Sequence, residues 1–151
     1  MQLTAYTDYS LRLMMYLAQR KGQRATVGEI ADVFGISRNH LMKVAFGLGQ
    51  QGWVETTRGR SGGLSLAPGA ERVRLGDIIR STEPDFAVVE CFDASRNSCA
   101  IVRPCRLKGI LQQAMTAWFE VLDAHTLGDL VADNKALARL FAQLPNREVR
   151  T

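Results

Sequence analysis

The chain has 151 residues, 46% of them apolar, and a formal net charge of +4. A chain of about 150 residues buries roughly 68–70% of its unfolded surface, enough for one domain with its own core. The longest charge-free runs, Val44–Val54 and Gly109–Phe119, are eleven residues each, well short of the ~20 that a membrane-spanning helix needs. The opening MQLTAYTDYSLR has neither the basic region nor the apolar stretch of a secretory signal, so a cytoplasmic location is expected. Charge is unevenly spread: residues 1–80 carry eleven Lys/Arg against six Asp/Glu, residues 81–151 eight against nine. The first half is therefore the part drawn to a polyanion.

In chain order, TDYSLRLMMYLAQRKGQ predicts a first helix capped by Thr7, with Leu11, Met14, Met15 and Ala18 on its inner face and a basic end. TVGEIADVFG predicts a second, with Thr26 and Glu29 at capping-box spacing and Gly35 as its stop. SRNHLMKVAFGLGQQG predicts a third, capped by Ser37, with Leu41, Val44 and Leu48 facing inward and two late glycines weakening its end. WVETTRGRSGGLSLA changes period and reads as a hairpin with a Gly-rich basic turn. RLGDIIRSTEP predicts a short helix that stops at Pro84. Residues 91–105 show no clean period and read as a loop. From Cys105 a helical stripe of Leu107, Leu111, Ala114, Trp118, Val121 and Leu122 runs about five turns. HTLGDLVADN closes the ordered part, Thr126 capping and Asp129 three residues on, before a basic tail.

The expected fold is mainly α with a small β-wing. Residues 1–80 make a winged helix-turn-helix domain, 81–105 a cysteine-bearing loop, 106–135 a long dimerisation helix and a short one after it, and 136–151 a tail. Two short helices joined at FGISRN and followed by a hairpin are the winged helix-turn-helix pattern. The third helix opens with Ser37, Arg38, Asn39 and His40, then Lys43, on the turns that meet base edges and phosphates. Arg58, Arg60 and Gly62 sit in a turn whose glycines let backbone approach a sugar-phosphate strand. Double-stranded operator DNA is the expected partner. A small winged module buries limited area, so a homodimer on a palindromic site is the natural arrangement, with the long helix after Cys105 as the dimer element.

All three cysteines, Cys91, Cys99 and Cys105, fall within CFDASRNSCAIVRPC. Spacings of eight and six in a polar loop do not follow a core period, and an odd count argues against disulfides. A structural zinc site would want a short Cys knuckle or a nearby His, and neither is present. Thiolates on a flexible loop suit an iron–sulfur centre, and Arg96, Arg103 and Arg106 would offset its negative charge. Another metal, or bare thiol redox sensing, stays open on the residues alone.

The winged-helix array followed by C-x7-C-x5-C and a long helix resembles the bacterial iron–sulfur winged-helix transcription regulators of the IscR and NsrR type. QLTAYTDYSLR, GISRNHLMKV, RGRSGGLSLA and HTLGDLVADN are similar to the nitric-oxide-sensing branch of that family. The resemblance spans residues 1–135, and the seven-residue gap is a departure in length. It implies a dimeric repressor with one cluster per subunit on Cys91, Cys99 and Cys105, 4Fe–4S in preference to 2Fe–2S, released from its operator by nitric oxide. IscR-like proteins place a His three residues after the last Cys; here that position is Lys108. The other branch implies Asp8 of the partner subunit as the fourth ligand, although Asp8 also suits a helix first turn with Arg12 four residues on. The open alternatives are an IscR-like iron–sulfur status regulator and a cysteine-thiol repressor without a cluster. Catalysis is not expected: no acid-and-His set lies near the thiols, and RGRSGG sits in a hairpin rather than between strand and helix.

Overall fold

A computed structural model describes residues 2–59 and 62–143. Its order is α1 (Ala5–Gln19), α2 (Val27–Phe34), α3 (Arg38–Gln50), β1 (Val54–Thr57), β2 (Gly63–Leu66), α4 (Leu75–Thr82), α5 (Arg106–Asp123), α6 (Leu127–Val131) and α7 (Lys135–Gln143), with single 3-10 turns at Ala70–Arg72 and Glu90–Phe92. The fold is thus mostly helical around a two-stranded antiparallel sheet, Val54 opposite Leu66 and Thr56 opposite Leu64.

Helix α1 is the hub, packed against α3, α4, α6 and β2. Leu13, Met14, Tyr16 and Leu17 are fully buried along it, and so are the hydroxyls' owners Thr7 and Ser10. This corrects two expectations. The N-cap is Thr4, whose hydroxyl accepts from the Thr7 amide at 3.3 Å, and Thr7 lies inside the helix. The inner face is also broader than Leu11, Met14, Met15 and Ala18: Leu11, Met15 and Ala18 are only partly buried, because neighbours on several sides demand more than one stripe. The cap is set from afar. The Glu83 carboxylate, just past α4, accepts from the Thr4 amide at 2.7 Å and its hydroxyl at 3.1 Å, placing negative charge where the α1 dipole favours it.

The next two helices form as their local chemistry dictates. Thr26 accepts from the Glu29 amide at 3.0 Å, and Gly35 ends α2 in the left-handed conformation, φ 64°. The capping box is only half made, however. The Glu29 carboxylate turns to α1, accepting from the Tyr16 hydroxyl and from Arg20, each at 2.7 Å. Ser37 caps α3, which buries Leu41, Val44, Ala45 and Leu48 and runs on past Gly47 and Gly49 to Gln50. A Cβ at Gly47 would meet the Tyr6 hydroxyl of α1, so the two helices cross closely there. The wing is pinned at its base, where Ala25 and Leu64 exchange backbone hydrogen bonds of 2.9 and 2.8 Å.

The C-terminal part returns to this core. Leu75 donates to the His125 carbonyl and Leu127 to that of Val73, each at 2.9 Å, seating α6 with Leu127 fully buried. Thr126 and Asp129 complete a capping box. Beyond it, where the sequence reading placed a tail, residues 135–143 form α7. Phe141 packs edge-on against Tyr16 at 5.1 Å and Phe34 at 5.9 Å; the rest of the tail, 144–151, lies outside the described residues. No helix of the described residues is long and apolar enough to cross a membrane.

Two predictions follow from this core. Phe141→Ala removes a nearly buried ring and lowers stability by about 3–5 kcal/mol, read as an earlier midpoint in urea unfolding. Burial, then the hydrogen bond to Glu29, push the Tyr16 phenol from the usual 10.0 up to about 12. The folded state then binds this proton more tightly than the unfolded chain does, so the contribution is intact below pH 10 and drains away as pH rises to about 12. Denaturation from pH 9 to 12 should show a shallower decline in Tyr16→Phe than in the parent.

Candidate DNA interface and cysteine loop

The start of α3 and its exposed surface carry the predicted DNA contacts. Ser37, Arg38, Asn39, His40 and Lys43 are all exposed. The Ser37 hydroxyl accepts from the His40 amide at 3.2 Å, so this side chain serves first as a cap. Arg38 leans over α2, 3.8 Å from Asp32 and against Gly28. The His40 ring stands 6.4 Å from Tyr9; with Lys43, Val44, Ala5 and Tyr6 they line a hollow of about 250 Å³ between α1 and α3. From Val33 to Val54 the chain has no Asp or Glu, which leaves this surface positive. A reading confined to polar groups missed two neighbours: Met42 is 51% and Phe46 70% exposed. The signal was available, since the inward set Leu41, Val44 and Leu48 leaves both on the outer face.

On the wing Arg58 is exposed, and Arg60 lies outside the described residues. Gly62 has a turn-making role: its amide donates to the Gly59 carbonyl at 2.9 Å, and a Cβ there would strike the Thr57 carbonyl.

Behind α4 the backbone from 84 to 105 has no helix or strand except the Glu90–Phe92 turn. Short local bonds shape it. Asp93 accepts from the Ser95 hydroxyl at 2.6 Å and amide at 2.9 Å, which hold its carboxyl below the usual range. Asn97 accepts from the Cys99 amide at 3.1 Å. Cys91, Cys99 and Cys105 are free and half-buried. Cys91 faces an open hollow of about 580 Å³ along α5, beside Lys108, Gln112, Met115 and Phe119; Cys105 occupies the N-cap of α5. Arg96 pairs with Asp93 at 3.4 Å. Asp8 stands apart on α1, where Arg12 engages both its oxygens at 3.0 and 2.7 Å.

The donor chemistry fits a thiolate-ligated group: three free thiols on backbone that few long-range bonds restrain. It is not preassembled, because no group of three or more His, Cys, Asp or Glu side chains among the described residues is placed to hold a metal ion. The single stripe expected on α5 resolves into two faces. Leu111, Met115, Trp118 and Leu122 are half-buried toward the body, whereas Leu107, Ile110, Ala114, Ala117 and Val121 are exposed at alternating three- and four-residue spacing. The helix is anchored through Arg80, which grips Asp123 with bonds of 2.8 and 2.7 Å and lies 4.2 Å over the Phe119 ring.

The family model described as Rrf2, iron-dependent transcriptional regulator, matches residues 3–133. The chain belongs to the Rrf2 family. This Rrf2 protein is 48% identical to the HTH-type transcriptional regulator NsrR of Bacillus subtilis, over 93% of this chain and 97% of that protein. It is 44% identical to NsrR of Halalkalibacterium halodurans, over 96% and 100%. Among solved structures it is similar to the oxidized form of Staphylococcus aureus CymR, with a TM-score of 0.71 and 28% identity over 87% of this chain and 97% of that one. The Rrf2 chain is accordingly a transcriptional regulator of the NsrR-like kind and not an enzyme.

Lys43→Ala on this Rrf2 surface removes one phosphate-seeking charge without touching the core. Binding to operator duplex should weaken across all sequences, and the slope of log K against log salt should become shallower by about 1, as read by fluorescence anisotropy from low to moderate salt.

Proposed function

We propose that the protein is a homodimeric repressor that binds palindromic operator DNA while it holds an iron–sulfur cluster and lets go in response to nitric oxide. What carries this reading is the set of three free thiols on an irregular stretch between two anchors to the DNA-reading head, in a chain so similar to NsrR regulators. Cys91, Cys99 and Cys105 would hold one cluster per subunit, 4Fe–4S in preference to 2Fe–2S, with Asp8 of the partner subunit as fourth ligand. When bound, such a group supplies iron with high affinity for nitric oxide.

The chain's own residues explain how the state of that stretch reaches the DNA. At one end of the stretch Glu83 clasps Thr4 at the start of α1; the helix that follows its other end, α5, is tied to α4 at its C-terminal residue by Arg80 and Asp123. Helix α1 in turn packs on α3. A change in the shape of residues 84–105 is thereby delivered to the reading helix through ordered contacts. A coupling of about 1–3 kcal/mol changes affinity roughly 5–150-fold. The exposed seam of Leu107, Ile110, Ala114, Ala117 and Val121 has the spacing of a helix-pairing surface, which supports α5 as the dimer element. Ser37, Arg38, Asn39, His40 and Lys43, with Arg58 and Arg60 on the wing and Gly62 shaping its turn, form the DNA-facing set.

Protein prepared without air should be brown, contain iron and acid-labile sulfide, and retard an operator fragment in a gel. Stoichiometric nitric oxide should bleach the absorption and abolish the retardation, and Asp8→Ala should weaken cluster retention. Colourless, sulfide-free protein that binds with full affinity would overturn this reading in favour of a thiol-based repressor.

A further inference from the structure

Met42 and Phe46 call for an explanation that the charged residues of α3 do not provide. Large apolar side chains at 51% and 70% exposure are costly to leave in water, and they are four residues apart, hence stacked on one helical face. Asn39 is seven residues before Phe46, so the outer face reads Asn39, Met42 and Phe46 along its length, with Lys43 beside them. The opposite residues, Leu41, Val44, Ala45 and Leu48, are all buried in the head. Arg38 is four residues before Met42 and Lys43 three before Phe46, one turn away on the same helix, and the pair lies within a stretch, Val33 to Val54, that lacks any carboxylate. That charge selects a polyanionic partner. On a polyanion, the apolar feature an α-helix meets in the major groove is the thymine C5-methyl group.

We propose that Met42 and Phe46 are base-reading residues that pack against thymine methyl groups in the major groove of the operator. This deepens the DNA-binding reading and rests on it. Asn39, one turn or two toward the helix start, has the amide that pairs bidentately with adenine N6 and N7, so the three residues together select A·T pairs at successive positions. The two apolar groups contribute discrimination, whereas Lys43 contributes affinity without regard to sequence.

The experiment uses the full chain, prepared without air, and a duplex selected by it from a random-sequence pool. Each thymine of the selected half-site is replaced singly by deoxyuridine, which deletes only the methyl group. The expected result is about a fourfold loss of affinity for each methyl in contact, the value of one buried methyl-sized group. Phe46→Ala and Met42→Ala should each bring the thymine-to-uracil ratio at one position down to about one, with the salt slope unchanged, and Phe46→Leu should restore part of it. Both sites are exposed, so folding is retained, which the unfolding midpoint verifies. Failure to select any duplex above non-specific binding would sink the DNA-binding reading itself. A selected duplex that tolerates uracil at every position, or a ratio unaffected by either substitution, would overturn this inference while leaving that reading standing. So would variants that alter only self-association, since the pair would then be a protein-contact patch.

Discussion

The burial of α1 on several sides is the constraint on which the rest of the structure depends. One helix of fifteen residues receives α3, α4, α6 and the wing strand. That is why Thr7 and Ser10 lie fully inside it despite their hydroxyls; Ser10 donates to the Tyr6 carbonyl at 2.8 Å, which satisfies the buried donor within the helix. Because α3, α4, α6 and β2 all pack on α1, and α5 is tied to α4 by Arg80 and Asp123, helix α3, the start of the cysteine stretch and the C-terminal end of α5 share one frame. Small displacements at any of them are felt by the others, since close-packed interiors do not absorb strain smoothly.

Much of the head was legible from sequence because its determinants are local. Ser37 and Thr26 each satisfy an amide three residues ahead, and the Gly35 stop needs only the adjacent turn of α2. The errors arose where a distant residue decides. Thr4 and Thr7 are equally good caps by composition, and the choice falls to Thr4 because Glu83, seventy-nine positions away, accepts from it. Glu29 has the spacing of a capping box, yet Tyr16 and Arg20 of α1 win its carboxylate. Helix α7 is apolar at six of its nine residues, KALARLFAQ, but it is short and set in a basic C-terminal stretch that by itself reads as a tail; the rings that make Phe141 worth burying, Tyr16 and Phe34, are on α1 and α2.

The cysteine stretch shows a different limit. Its irregularity was plain from the lack of period, and the structure agrees. The mutual placement of the sulfurs was not readable, because spacings of eight and six along flexible backbone do not determine a geometry. The long helix presents the same problem in another form. One apolar stripe was visible, but the division into a face for the body and a face left open depends on where Arg80 and Phe86 hold α5. Phe86 does so by packing at 4.9 Å against Phe119.

At the crossing of α1 and α3, the tilt of the helix proposed to read DNA depends on a missing atom. Gly47 makes room for Tyr6, and any larger residue there would have to displace that phenol or tilt the helix. A variant at this inward-facing glycine would therefore keep every exposed side chain of α3 and still present them at the wrong angle to a promoter. In a genetic screen it would pose as a lesion in the operator.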